Sequence, residues 1–180
     1  MPMSYNFPRV TGFTLVELVV VIVVLSLALT GVTLMINQAV QHSPDALVQT
    51  RAMELAQTYL DEIYSKRYDE NSGAGGIPRC DSTDTNFKAC SNTLGSDSGE
   101  SNRLLFDDVD DYNGLNEQPP TSIVDGSGLP NYDSYAVQIA VAYAGTELGF
   151  ANSRHAKRIT INITTPLGNT IPVSVYRVNF

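Results

Sequence analysis

The sequence predicts an α+β protein in which a long N-terminal helix packs on a C-terminal antiparallel β-sheet. Three observations support that class. Residues 13–36 are almost wholly apolar. Val48, Ala52, Leu55, Ala56, Tyr59 and Ile63 then recur at three- and four-residue steps, the spacing of one helix face. In the last third of the chain, apolar residues alternate with small or polar ones, the two-residue period of half-buried strands.

The apolar run FTLVELVVVIVVLSLALTGVTLMI has 24 residues, which at ~1.5 Å each span roughly 36 Å. That is enough to cross a hydrocarbon core of ~30 Å. It exceeds the ~7–15 apolar residues of a secretory signal. Only Arg9 supplies a basic start, and no A-x-A cleavage site follows. Glu17 is the single charge in the run. An acid inside a membrane segment costs ~2.5–3.5 kcal/mol, and no Lys or Arg lies between Arg9 and Arg51 to offset it. Its partner must come from outside the helix or arise through processing.

Residues 37–70 read as an amphipathic helix. Ser43 before Pro44 suits an N-cap followed by a first-turn proline, and Asp45 suits the positive end of a helix. Pro44 therefore either kinks one long helix or breaks it in two, and the helical pattern on both sides favours the kink. The helix is expected to reach about Arg67, with Lys66 and Arg67 in its last turn.

Residues 71–133 are loop-rich, opening with NSGAGGIPR, whose glycines and proline exclude a helix. From residue 81 to 133 there are eleven acids against Lys88 and Arg103. Here the pattern predicts a surface region with short strands at most, such as 103–106. Residues 134–180 predict a meander. Tyr135, Val137, Ile139, Val141 and Tyr143 alternate in one strand; Ile159, Ile161 and Ile163 in a second; Ile171, Val173 and Val175 in a third. Pro166-Leu167-Gly168-Asn169 is a turn, and Pro172, lacking an N–H, places the third strand at an edge or bulge. A sheet with one apolar face is what the amphipathic helix needs as a partner.

The net charge of -8 and pI near 4.5 argue against a nucleic-acid binder, which needs a basic face. They equally disfavour a polybasic membrane-docking patch. The charge is uneven: -9 falls on residues 81–133, while residues 134–180 carry +3.

Gly12-Phe13-Thr14-Leu15-Val16-Glu17 followed by a Val/Ile/Leu run resembles the type III leader of type IV prepilins and type II secretion pseudopilins. The resemblance implies a cleaved leader, 1–12, and a transmembrane and assembly helix, 13–36. It implies a cut after Gly12 by a prepilin peptidase that also N-methylates Phe13. Glu17 is then the acid that pairs with the N-terminal amine of a neighbouring subunit. An α-amino group ordinarily titrates at ~7.7–8.0, so that amine is cationic near neutrality and supplies the partner Glu17 lacks. One departure is the basic residue of Arg9-Val10-Thr11-Gly12, set back from the cut. The α+β head on a protruding helix is similar to the type IV pilin fold. The implied partners are the peptidase, other pilins through the N-terminal helix, the pilus assembly platform and the inner membrane. The implied location is a single-pass inner-membrane protein with a periplasmic head, later in an extracellular pilus.

Three blocks extend the likeness to MshD-type minor pilins of the mannose-sensitive haemagglutinin (MSHA) pilus: 60–71, 106–115 and 157–168. They imply a minor subunit that primes, caps or decorates filaments used in surface attachment. A type II secretion pseudopilin and a membrane-anchored, Ca²⁺-dependent adhesive module are the competing classes. In an oxidising periplasm Cys80 and Cys90 are expected to form a disulfide, stabilising the fold by roughly 2–3 kcal/mol through so short a loop.

Asp107, Asp108, Asp110 and Asp111 are the candidate Ca²⁺ ligands. Their spacing departs from the EF-hand, and a solvated acidic turn is the simpler reading. Asn162-Ile163-Thr164 matches a glycosylation sequon but falls inside an expected strand. His42 and His155 form no ligand pair with cysteine or each other. No G-x-S-x-G, Walker A, H-E-x-x-H or S-x-x-K motif is present, so nothing in the sequence points to an enzyme or a cofactor.

Overall fold

A computed structural model describes residues 12, 14–83 and 85–179, with the side chains of residues 37–45 and 74 excepted. The chain divides into an N-terminal unit, Met1–Ala46, and a head, Leu47–Phe180. Helix α1 runs Leu15–Ser65 without interruption at Pro44. No second helix starts there, so the break offered as one option is not found. The capping roles expected of Ser43 and Asp45 concern side chains outside those described.

Within the head, four strands form one antiparallel sheet in the order β1 (Asn116–Glu117), β2 (Ala136–Tyr143), β3 (Ala156–Thr164), β4 (Thr170–Val178). The α+β class holds, as an arrangement like that of type IV pilins. The register explains the core. Val137, Ile139 and Val141 of β2 lie opposite Ile163, Ile161 and Ile159 of β3, which in turn lie opposite Ile171, Val173 and Val175 of β4. All these side chains fall on one face. Against them pack Ala52, Leu55, Ala56, Tyr59 and Ile63 of α1, with Val48 at the margin. The small residues Ala52 and Ala56 let the helix backbone approach the sheet, and the long ones fill the space between.

Among the described residues strand β4 is paired only with β3, and Pro172 sits there in unbroken register opposite Asn162. This is the edge position its missing N–H requires. Two-residue β1, which alternation is too short to reveal, extends the other side. Thr165 N–H to Asn169 O and Gly168 N–H to Thr165 O, both 2.9 Å, close the turn between β3 and β4, with Gly168 at φ +81°.

Helix α1 ends two residues before the sequence suggests. Lys66 and Arg67 lie beyond it, and the orphan carbonyls of the last turn are capped from the sheet. Arg177 of β4 donates to the carbonyls of Ile63 at 3.1 Å, Tyr64 at 2.7 Å and Lys66 at 2.6 Å. A second correction concerns 103–106. Instead of a strand, Arg103–Leu105 is a 3₁₀ turn capped by Asn102, whose side chain accepts from Leu104 N–H at 3.0 Å. In this turn Arg103 is buried.

Candidate functional site

The N-terminal site is built by the start of α1. Thr14 Oγ1 accepts from Glu17 N–H at 3.3 Å, and Thr14 O accepts from Leu18 N–H at 3.1 Å. Thr14 thus caps the helix immediately after the expected cut, with Glu17 in the first turn, where an acid suits the dipole. Gly12 is exposed; Phe13 lies outside the described residues.

From Leu15 to Ile36 the helix is long and apolar enough to cross a membrane, and its large side chains are exposed along its length. Its hydroxyls are satisfied within the helix. Ser26 donates to Ile22 O at 2.7 Å, Thr30 to Ser26 O at 2.8 Å, and Thr33 to Leu29 O at 3.0 Å. No polar side chain but Glu17 is left requiring water there, as a hydrocarbon surrounding demands.

The head conceals charge. Arg103 Nε donates to both Glu62 oxygens at 3.0 and 3.1 Å; its terminal nitrogens pair with Glu62 and with Glu117, the latter at 3.0 Å. Tyr112 donates to Glu62 at 2.6 Å, Tyr59 donates to Glu117, and the guanidinium lies 4.0 Å from the Tyr59 ring centroid. This network joins α1, the 3₁₀ turns and β1. Burial opposes ionisation of Arg103, but the Glu62 contact outweighs it and holds the guanidinium still more firmly protonated. Burial pushes the Tyr59 and Tyr112 phenols up. Both remain neutral donors.

A second buried centre surrounds Lys157, which is wholly enclosed. Its ammonium pairs with Asp110, approaches Asp69 Oδ2 at 3.4 Å and donates to Tyr68 O. The Tyr68 and Tyr143 ring centroids lie 4.2 and 5.4 Å away. Asp69 accepts from Asn71 N–H at 3.0 Å, from Ser91 N–H at 3.0 and 3.2 Å, and from the Ser91 and Tyr143 hydroxyls at 3.2 Å each. Burial opposes its charge, but Lys157 and these donors hold its carboxyl below the usual range.

The acidic run differs from a solvated turn. Asp107 is exposed and pairs with Arg67, whereas Asp108, Asp110 and Asp111 are buried. Asp108 accepts from Asp110 N–H at 2.6 Å; Asp111 accepts from the Asp107 and Asp108 N–H groups at 2.9 and 3.0 Å. Each carboxylate thereby ties down its own loop. Burial pushes Asp108 up to about 6 and Asp110 up to about 7. Burial and the neighbouring Asp111 push Glu100 up to about 7. The four calcium candidates do not converge. Asp110 turns to Lys157, while Asp107 groups with Glu70 and Asp108, and separately with Glu100 and Asp111. Cys80 and Cys90 are disulfide-bonded, and their loop is tied to the chain end by Asn179 Nδ2 donating to Cys80 O at 2.9 Å.

The buried residues that sequence reasoning missed had a signal. Lys157 shares the parity of Ile159, Ile161 and Ile163 and so belongs to the inward face of β3. Glu62 lies three residues past Tyr59 and seven past Leu55, on the buried helix stripe. Nothing in the loop pattern marked Arg103.

Residues 8–33 match the family model described as the prokaryotic N-terminal methylation motif. No curated protein and no solved structure matches the chain. The leader motif, the apolar helix and the α+β head together support a type IV pilin-like or pseudopilin subunit, a structural rather than catalytic class.

Proposed function

We propose that the chain is a minor pilin of an MSHA-like type IV pilus, cut after Gly12, methylated at Phe13 and packed into a filament through its N-terminal helix. The observation that supports this most strongly is Thr14-capped Glu17 at the head of the exposed apolar segment Leu15–Ile36, inside the matched methylation motif. One carboxylate in a segment suited to hydrocarbon demands a cation, and a neighbour's new N-terminal amine is one that cleavage creates. After release from the membrane, Glu17 positions the incoming helix, and apolar packing between copies holds it. The minor-subunit and attachment roles rest on the MSHA-like blocks at 60–71, 106–115 and 157–168.

Glu17→Ala tests the assembly step. Membrane insertion and leader cleavage are expected to persist, while the protein recovered in sheared filaments falls at least tenfold; equal incorporation would reject the role. Deleting the gene in its host separates the subtypes: loss of piliation or attachment supports the pilus reading, and loss of exported hydrolases with normal pili supports a pseudopilin.

A further inference from the structure

The Lys157 centre is unexplained by filament assembly. A lysine with no solvent exposure is set between two aspartates that are themselves buried, and the two are held differently. Asp69 is positioned by backbone, serine and tyrosine donors. Asp110 meets the Lys157 ammonium through Oδ1, and among the described residues no other donor holds either of its oxygens. One carboxylate is fixed in place by several donors, and the other is held by the ammonium alone.

We propose that Lys157 and Asp110 become joined by an intramolecular amide between Lys157 Nζ and Asp110 Cγ, with Asp69 as the proton carrier. Asp69 Oδ2, 3.4 Å from Nζ, takes a proton from the ammonium. The freed amine adds to Asp110 Cγ, and one Asp110 oxygen leaves as water. One C–N bond forms and one C–O bond breaks. Two protons leave the nitrogen and depart with that oxygen, one of them relayed by Asp69. No oxidant, reductant or co-reactant is needed.

Three physical features favour the step. The amine and carboxyl are held together by the fold, which supplies the effective concentration that a bimolecular condensation lacks. The reaction removes a charge pair from a site where desolvation penalises both members. The centre is walled by Tyr68 and Tyr143 and sealed from solvent, so bulk water does not reach the product to hydrolyse it. The bond would fasten the 3₁₀ turn Asp110–Tyr112 to strand β3, locking the acidic loop onto the sheet. It depends on the head alone and does not require the chain to be a pilin.

Full-length protein purified in detergent, digested and read by tandem mass spectrometry, tests this. The expected result is a branched peptide joining Asp110 to Lys157, lighter than its two parts by one water. It should be absent from Lys157→Arg and reduced at least tenfold in Asp69→Asn, with circular dichroism reporting whether each variant folds. Recovery of both wild-type segments only as separate peptides of full mass would overturn the proposal, whatever the variants do. So would a water loss that persists in Lys157→Arg, because the dehydration would then lie elsewhere. An undiminished bond in folded Asp69→Asn would remove Asp69 from the step.

Discussion

The segment Leu15–Ile36 and the head distribute polarity in opposite ways. In the segment the large apolar side chains are exposed, one carboxylate is present, and each serine or threonine hydroxyl is returned to the helix backbone. In the head a core of apolar side chains is inside, and several charges are inside with it: Glu62, Asp69, Arg103, Asp108, Asp110, Asp111 and Lys157 are all buried. The first arrangement suits a surrounding of hydrocarbon, lipid or a neighbour's helix. The second suits a small domain whose long loop region cannot build an apolar core of its own. Buried ion pairs, of which Glu62–Arg103 and Asp69–Lys157 are hydrogen-bonded on several sides, hold those loops. They also fix which loop conformation is allowed, since any other would strand a charge.

The sharpest way to break this contrast is to strand a charge deliberately. Arg103→Met leaves Glu62 and Glu117 without their cation and should cost about 3–5 kcal/mol. Urea unfolding of the detergent-solubilised protein, followed by the tyrosine near-ultraviolet signal, should show it. An unchanged midpoint would mean that the network is not what holds the 3₁₀ turn against α1.

Much of the apolar architecture was legible in the sequence, and much of the polar architecture was not. Alternation found β2, β3 and β4, and the three-four spacing found the buried face of α1, because each is a local period imposed by backbone geometry. Pro172 marked an edge strand for the same reason. The ion pairs escaped because they join residues far apart along the chain: Glu62 with Arg103, Asp69 with Lys157. A block of acids looks solvated until the cation that meets it is known. Glu17 stands at the other extreme. It is isolated in an apolar run and adjacent to a Gly-Phe step, and its peculiarity is visible with no structure at all.

A smaller effect is expected from the covalent tie of the loops. Replacing Cys80 and Cys90 together by serine should lower stability by roughly 2–3 kcal/mol, the value of closing a short loop. Thermal melts with and without reductant on the parent protein should give the same shift. Absence of any shift would show that Asn179 and the Asp69 network hold that loop unaided.

A further effect is a slope with pH. Asp108, pushed up to about 6 by burial, and Glu100, pushed up to about 7, both bind protons more tightly folded than unfolded. Between about pH 4 and 7 the folded head therefore carries more protons, so stability should fall as pH rises through that window. Asp108→Asn should flatten the lower part of the slope. A midpoint that climbs steadily from about pH 4.5 to 7 would contradict the direction of both shifts.

Mass spectrometry of the mature N-terminus tests the central claim most directly. Protein from its native host should begin at Phe13 and carry one methyl group on that residue's amine. An intact leader, or a cut near Thr30, would contradict the pilin-like reading of the N-terminal helix.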